Sequence, residues 1–108
     1  MTRVYLSGKI TGLHREEYTR NFERAEQHYR TAGYEVVNPV KLGEMILALN
    51  PSASYEDFML RDLEALQSCT CIAMIAGWED SPGAAREKAE AERLGLEIMQ
   101  YKEIGGEK

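Results

Sequence analysis

Two carboxylates stand where their neighbours can turn them toward a reaction. Glu87 lies one turn into the segment Gly83 to Leu94, with Ala84 three residues before it and Ala91 four after it. Residues at those spacings share one face of a helix. Small neighbours let such a helix lie close on a sheet, which can turn Glu87 inward over a cleft. The plainer alternative is a solvated helix, and Arg86, Lys88, Glu90, Glu92 and Arg93 mostly make one. Asp62 is the second candidate. Phe58, Met59, Leu63 and Leu66 form an apolar helix face, and Asp62 sits beside it, four residues from both Phe58 and Leu66. A partly desolvated acid has a raised pKa. A proton donor to a leaving group needs that property. Here the alternative is a border residue paired with Arg61 or a nearby lysine.

Two further stretches could hold an anion. The first reads Tyr5-Leu-Ser-Gly-Lys-Ile-Thr-Gly12. Its glycines let backbone N–H groups come close to a ligand, and Ser7, Lys9 and Thr11 add donors. It matches neither a Walker loop nor the dinucleotide glycine pattern, and a plain strand-to-helix turn would use the same glycines. The second reads Asp80-Ser-Pro-Gly83. Ser81 falls at an N-cap position, and the free N–H groups of a helix start attract negative charge. Cys69-x-Cys71 lacks a second ligand pair, so no metal site is expected. His14 and His28 have no triad-like or metal-like company. Trp78 is a lid over a base or part of a subunit contact.

These residues need a scaffold, and the chain has enough length for one. Its 108 residues, 44% apolar and 29% charged, suit one globular domain with a core of its own. The formal net charge of -5 argues against binding the backbone of DNA or RNA, which needs a basic stripe. No apolar stretch approaches the roughly 20 residues of a membrane helix. With two closely spaced cysteines and no signal peptide, a cytoplasmic protein with reduced thiols is expected.

The apolar pattern alternates strands with helices. Arg3 to Gly8 reads as a buried strand. Arg15 to Ala32 reads as a helix with the stripe Tyr18, Phe22, Ala25 and Tyr29, stopped by Gly33. Tyr34 to Asn38 is a second strand. Val40 to Leu49 is a short helix with Leu42, Met45, Ile46 and Leu49 on one side. Ser54 and Asp57 form a capping box for a helix from Tyr55 to Gln67. Cys71 to Ile75 is a fully apolar strand. The helix Gly83 to Leu94 ends at Gly95, and Leu96 to Met99 is the last strand. The order β-α-β-α-α-β-α-β implies an α/β fold. The expected form is a three-layer, doubly wound, Rossmann- or flavodoxin-like parallel sheet of about four strands, with helices on both faces. Residues 1–104 make the expected domain, and 105–108 a frayed tail. Ligands in such sheets bind outside the carboxyl ends of the strands at the switch point of strand order. That rule selects the loops Ser7 to Leu13 and Ala76 to Gly83.

Four patches together resemble the nucleoside 2-deoxyribosyltransferase superfamily. They are Tyr5-Leu-Ser-Gly8, Asn38-Pro39, Arg61-Asp62-Leu63 with the strand after it, and Gly83-x-x-x-Glu87 followed by Ala91 and Gly95. The chain is more similar still to a short phage and bacterial branch of unknown function, through Tyr5 to Gly12 and Gly77 to Glu87. The resemblance implies that Glu87 is a nucleophile attacking the anomeric carbon of a sugar, with a covalent glycosyl ester and release of the base. It implies that Asp62 protonates or holds the departing base, and that Tyr5 orients Glu87 or stabilises charge near the sugar oxygen. Transferases of the superfamily usually carry aspartate where this chain has Ser81. The deoxynucleoside 5′-monophosphate N-hydrolases are similar to this chain in carrying serine there. By that likeness Ser7, Gly8, Lys9, Ile10, Gly12, Ser81 and Gly83 hold the substrate and its phosphate. The hydrolases have serine and arginine where this chain has Lys9 and Thr11, and Lys9 is then the source of positive charge.

The resulting expectation is an N-glycosidase or deoxyribosyltransferase of a nucleoside or its 5′-monophosphate. It would work without metal or organic cofactor and assemble as a homodimer or larger oligomer. Two alternatives stand beside it. One is a non-catalytic module, sensor or sponge, that binds a nucleotide derivative on the same fold. The other is an assembly protein with an unused cleft, an exposed Trp78 and a solvent-facing Glu87.

Overall fold

The computed structural model describes residues 2–102. The tail expected over 105–108 lies outside them. The first strand, β1 (Arg3–Ser7), is buried at four of its five positions, and β3 (Cys71–Ile75) at all five. Strands covered on both faces have no solvent side for polar residues, so they read as apolar runs. Between and beyond them come α1 (Arg15–Thr31), β2 (Glu35–Val37), α2 (Pro39–Leu49), α3 (Tyr55–Leu66), α4 (Pro82–Leu94) and β4 (Glu97–Tyr101).

The four strands are all parallel, in the order β2-β1-β3-β4. The chain leaves β1 toward one edge through α1. It then crosses back to β3 through α2 and α3, and on to β4 through α4. Right-handed crossovers in opposite directions place their helices on opposite faces. The packing follows this rule. Val4 and Leu6 join Phe22, Ala25 and Tyr29 of α1 in one core. Tyr5, Ile72 and Met74 join Leu66 of α3 and Ala84 and Ala91 of α4 in the other. Strand side chains alternate faces with period two. Tyr5 and Ser7 therefore share the face that α4 covers. The switch of direction lies between β1 and β3, where this architecture places ligands.

The helix boundaries follow local chemistry. Asn38 ends no strand. Its side chain accepts the Val40 N–H at 3.0 Å and caps α2, with Pro39 at the first helical position. Ser54 and Asp57 form the expected capping box on α3. The last strand runs to Tyr101 rather than Met99, because its whole length pairs with β3. Trp78–Asp80, expected as loop, is one turn of 3₁₀ helix. The apolar side of α2 is only partly covered, since Met45 is 63% and Leu49 87% exposed. No helix among the described residues is long and apolar enough to cross a membrane.

One buried acid fastens the far wall of the molecule. Glu26 of α1 accepts from Asn38 Nδ2 at 3.0 Å and Arg30 Nε at 2.7 Å, and pairs with Lys41 at 3.0 Å. Its burial raises the carboxyl pKa, but these three partners together outweigh that and hold it down at about 2. Glu26 thus ties α1 to the junction of β2 and α2.

Candidate active site

Glu87 is held by the two elements that alternation and small residues bring together. Ala84 and Ala91 are essentially fully buried, so α4 lies close on the sheet. Glu87 stands between them, faces the strands and is 6% exposed. Tyr5 Oη donates to its Oε2 at 2.8 Å, and Ser7 Oγ donates to its Oε1 at 2.6 Å. Each carboxylate oxygen receives one hydroxyl from β1. The solvated alternative for Glu87 does not describe this side chain.

Asp62 of α3 comes to the same place and interacts with both Glu87 and Tyr5. Its pKa is pushed up to about 8, first by burial, then by the charge of Glu87 and its hydrogen bond to Glu87. Burial raises Glu87 above the usual carboxylate range, although hydrogen bonds from Ser7, Tyr5 and Asp62 act in the opposite direction. A buried carboxyl and a half-buried one side by side cannot both ionise easily, so they share a proton. Ser7 and Tyr5 decide which carries it. Both donate to Glu87, and donated bonds stabilise the charged form. Glu87 therefore holds the charge and Asp62 the proton. Burial, then the charges of Glu87 and Asp62, raise Tyr5 well above the usual phenol value, so it stays a donor.

Above this pair opens a cleft of about 850 Å³. Gly8, Ile10, Ser81, Gly83, Asp62 and Glu87 line it, and Tyr18, Tyr55 and Phe58 give it aromatic wall. Ser7, expected beside a phosphate, is instead buried and donates to Glu87. Lys9 and Gly12 do not line the cleft. They belong to the turn after β1, where a Cβ on Gly12 would lie 3.8 Å from Lys9 Cε. Gly8 has a packing role, for a Cβ there would meet Ile75 Cβ at 3.0 Å and Phe22 Cζ at 3.3 Å. Ser81 caps α4 by accepting the Ala84 N–H at 3.1 Å. Trp78 lies off the cleft wall, with Lys88 Nζ 5.6 Å from its ring. Among the described residues no group of His, Cys, Asp and Glu is placed to hold a metal ion.

Two charged residues on the cleft wall were not foreseen, Arg15 and Glu44, and a third, Asp80, lies in the loop that the sequence selected without being assigned a role there. Arg15 pairs with Glu44 across 3.3 Å. Arg15 opens α1 directly after the glycine loop, and that position was the available signal. Nothing local marks Glu44, whose partner is 29 residues away.

A family described as "Domain of unknown function (DUF4406)" matches residues 2–100. The chain belongs to this family. Among solved structures, this DUF4406 chain is similar to one described as the structure of Clostridium botulinum CMP N-glycosidase, BcmB. The TM-score is 0.61 and the identity 21%, over 92% of this chain and 67% of that one. At that identity the likeness shows a shared fold. A comparison with curated proteins finds no match.

The proton on Asp62 has a consequence for stability. Its folded pKa of about 8 lies above the ordinary 3.8, so the folded protein keeps a proton that the unfolded chain releases. Stability then falls as pH rises through that window, and the cost is complete above it. Asp62→Asn removes the titration. It is expected to be more stable than wild type at about pH 8.5, by up to several kcal/mol, with little difference near pH 4. Urea unfolding at several pH values measures this. A variant no more stable at the alkaline end would contradict the assignment.

Proposed function

We propose that this chain cleaves the N-glycosidic bond of a nucleoside or nucleotide, with Glu87 as nucleophile and Asp62 as general acid. The observation that carries the proposal is the division of labour between them. One carboxyl accepts from two hydroxyls, which favours its charged form, and its neighbour has a pKa pushed up to about 8, which favours its protonated form, at the floor of a cleft. Environments that push two carboxyls apart in this way are how one site supplies both a nucleophile and an acid. The fold shared with a CMP N-glycosidase and the motif resemblance to the deoxyribosyltransferase superfamily support the same reading.

In this proposal the steps are those that the superfamily resemblance implies. Glu87 attacks the anomeric carbon, and a C–O bond forms as the C–N bond breaks. The bonding pair leaves with the base, which takes the Asp62 proton. The sugar remains as an ester on Glu87. Asp62, now a carboxylate, takes a proton from the incoming water or second base, and the ester is released. Tyr5 and Ser7 keep Glu87 aimed before and after attack. Tyr18, Tyr55 and Phe58 offer a flat apolar wall to a base. A cytoplasmic setting suits the two free cysteines.

We also propose that two or more copies assemble. Leu47, Leu49 and Met45 of α2 and Tyr55 and Leu60 of α3 are large, apolar and exposed. Leu47 and Tyr55 also line the cleft, so a second copy seated there would help close it. Light scattering is expected to give a mass of at least two chains at micromolar concentration, and a single-chain mass would contradict this.

The catalytic reading is tested with a panel of ribo- and deoxyribonucleosides and their 5′-monophosphates, following free base by chromatography. Wild type is expected to release base, at a rate that falls above about pH 8 as Asp62 loses its proton. Glu87→Ala is expected to lose activity by about a thousandfold or more. Ligand-dependent thermal stabilisation with no base released, at near-stoichiometric protein, would instead favour the binding module.

A further inference from the structure

We propose that Glu44 and Asp80 make this cleft select an N-glycoside that carries no phosphate. The inference rests on the N-glycosidase reading and narrows it to a substrate class. Among the described residues, the cleft is lined by four acids, Glu44, Asp62, Asp80 and Glu87, and by one base, Arg15. With the Asp62 proton in place, three carboxylates face one guanidinium.

Each feature of the cleft that attracts anions already has a protein carboxylate beside it. Arg15 is the first. Its Nη2 lies 3.3 Å from Glu44 Oε2, so a phosphate must displace Glu44 or leave it beside the new charge. The start of α4 is the second. Ser81 Oγ accepts the Ala84 N–H, the Ser81 carbonyl accepts the Ala85 N–H, and Pro82 has no N–H. That leaves the Gly83 N–H without an intrahelical acceptor. Asp80 stands three residues before Gly83 and lines the same cleft, and a carboxylate near a helix start offsets its attraction for anions. Lys9 is the remaining cation of the glycine loop, and it lies off the cleft wall. A dianionic 5′-phosphate would thus enter a negatively charged site without an unpaired cation. An uncharged nucleoside meets no such penalty.

Calorimetry on Glu87→Gln measures binding without turnover, and base release by wild type is followed in parallel. Each nucleoside of a panel is compared with its own 5′-monophosphate, so the contribution of the base cancels. The nucleoside is expected to bind at least about tenfold more tightly, a difference that salt reduces. Adding Glu44→Gln and Asp80→Asn is expected to raise the monophosphate-to-nucleoside affinity ratio about tenfold. Tighter binding of the monophosphate, or a ratio unmoved by both substitutions, would overturn the charge selection. If base release persisted alongside, the glycosidase reading would stand. If no pair bound and none released base, both would fall together.

Discussion

A buried carboxyl beside a half-buried one can share one negative charge at moderate cost but not two, and the site is organised around that limit. Glu87 and Asp62 lie close enough for each to shift the other. The pair alone does not determine where the charge sits. Two hydroxyls do so, because Tyr5 and Ser7 both donate to Glu87. A symmetric pair becomes an ionised nucleophile candidate and a protonated acid candidate, with no other charge near enough to be required. The arrangement costs stability as pH rises from about 4 to about 8, as sites built for chemistry commonly do.

The rest of the fold serves that asymmetry. Tyr5 and Ser7 reach the same carboxylate because a strand returns each second side chain to one face. Glu87 reaches them because Ala84 and Ala91 let α4 lie close on the sheet. Asp62 arrives from the crossover between β2 and β3, which places α3 beside α4 on that face. The reversal of strand order between β1 and β3 opens the cleft above all three. Gly8 keeps the turn after β1 low, since any side chain there would strike Ile75 and Phe22.

Much of this was legible in the sequence because it is local. Strand runs, the stripe of α1, the capping box of Ser54 and the alanine spacing around Glu87 each depend on residues a few places apart. Asp62 could be placed at the border of an apolar face, but spacing left open whether it met a cation or another acid. Partners far apart in sequence were not legible. Ser7 was read as a ligand donor because its loop looks suited to anions, yet its hydroxyl serves a residue 80 positions away. The Arg15–Glu44 pair joins two helices, and no periodicity announces it. The apolar side of α2 was legible as one side of a helix, but pattern marks amphipathicity without saying what covers it.

The central claim is that Glu87 is ionised while Asp62 keeps its proton, and carbon-13 NMR of labelled side-chain carboxyls tests it most directly. The account predicts that the Asp62 signal titrates near pH 8 and that Glu87 loses its proton at a lower pH than Asp62 does. In Tyr5→Phe, the loss of one donor should weaken the preference of Glu87 for the charged form. An Asp62 signal that titrates near 3.8, as an exposed aspartate does, would contradict the account.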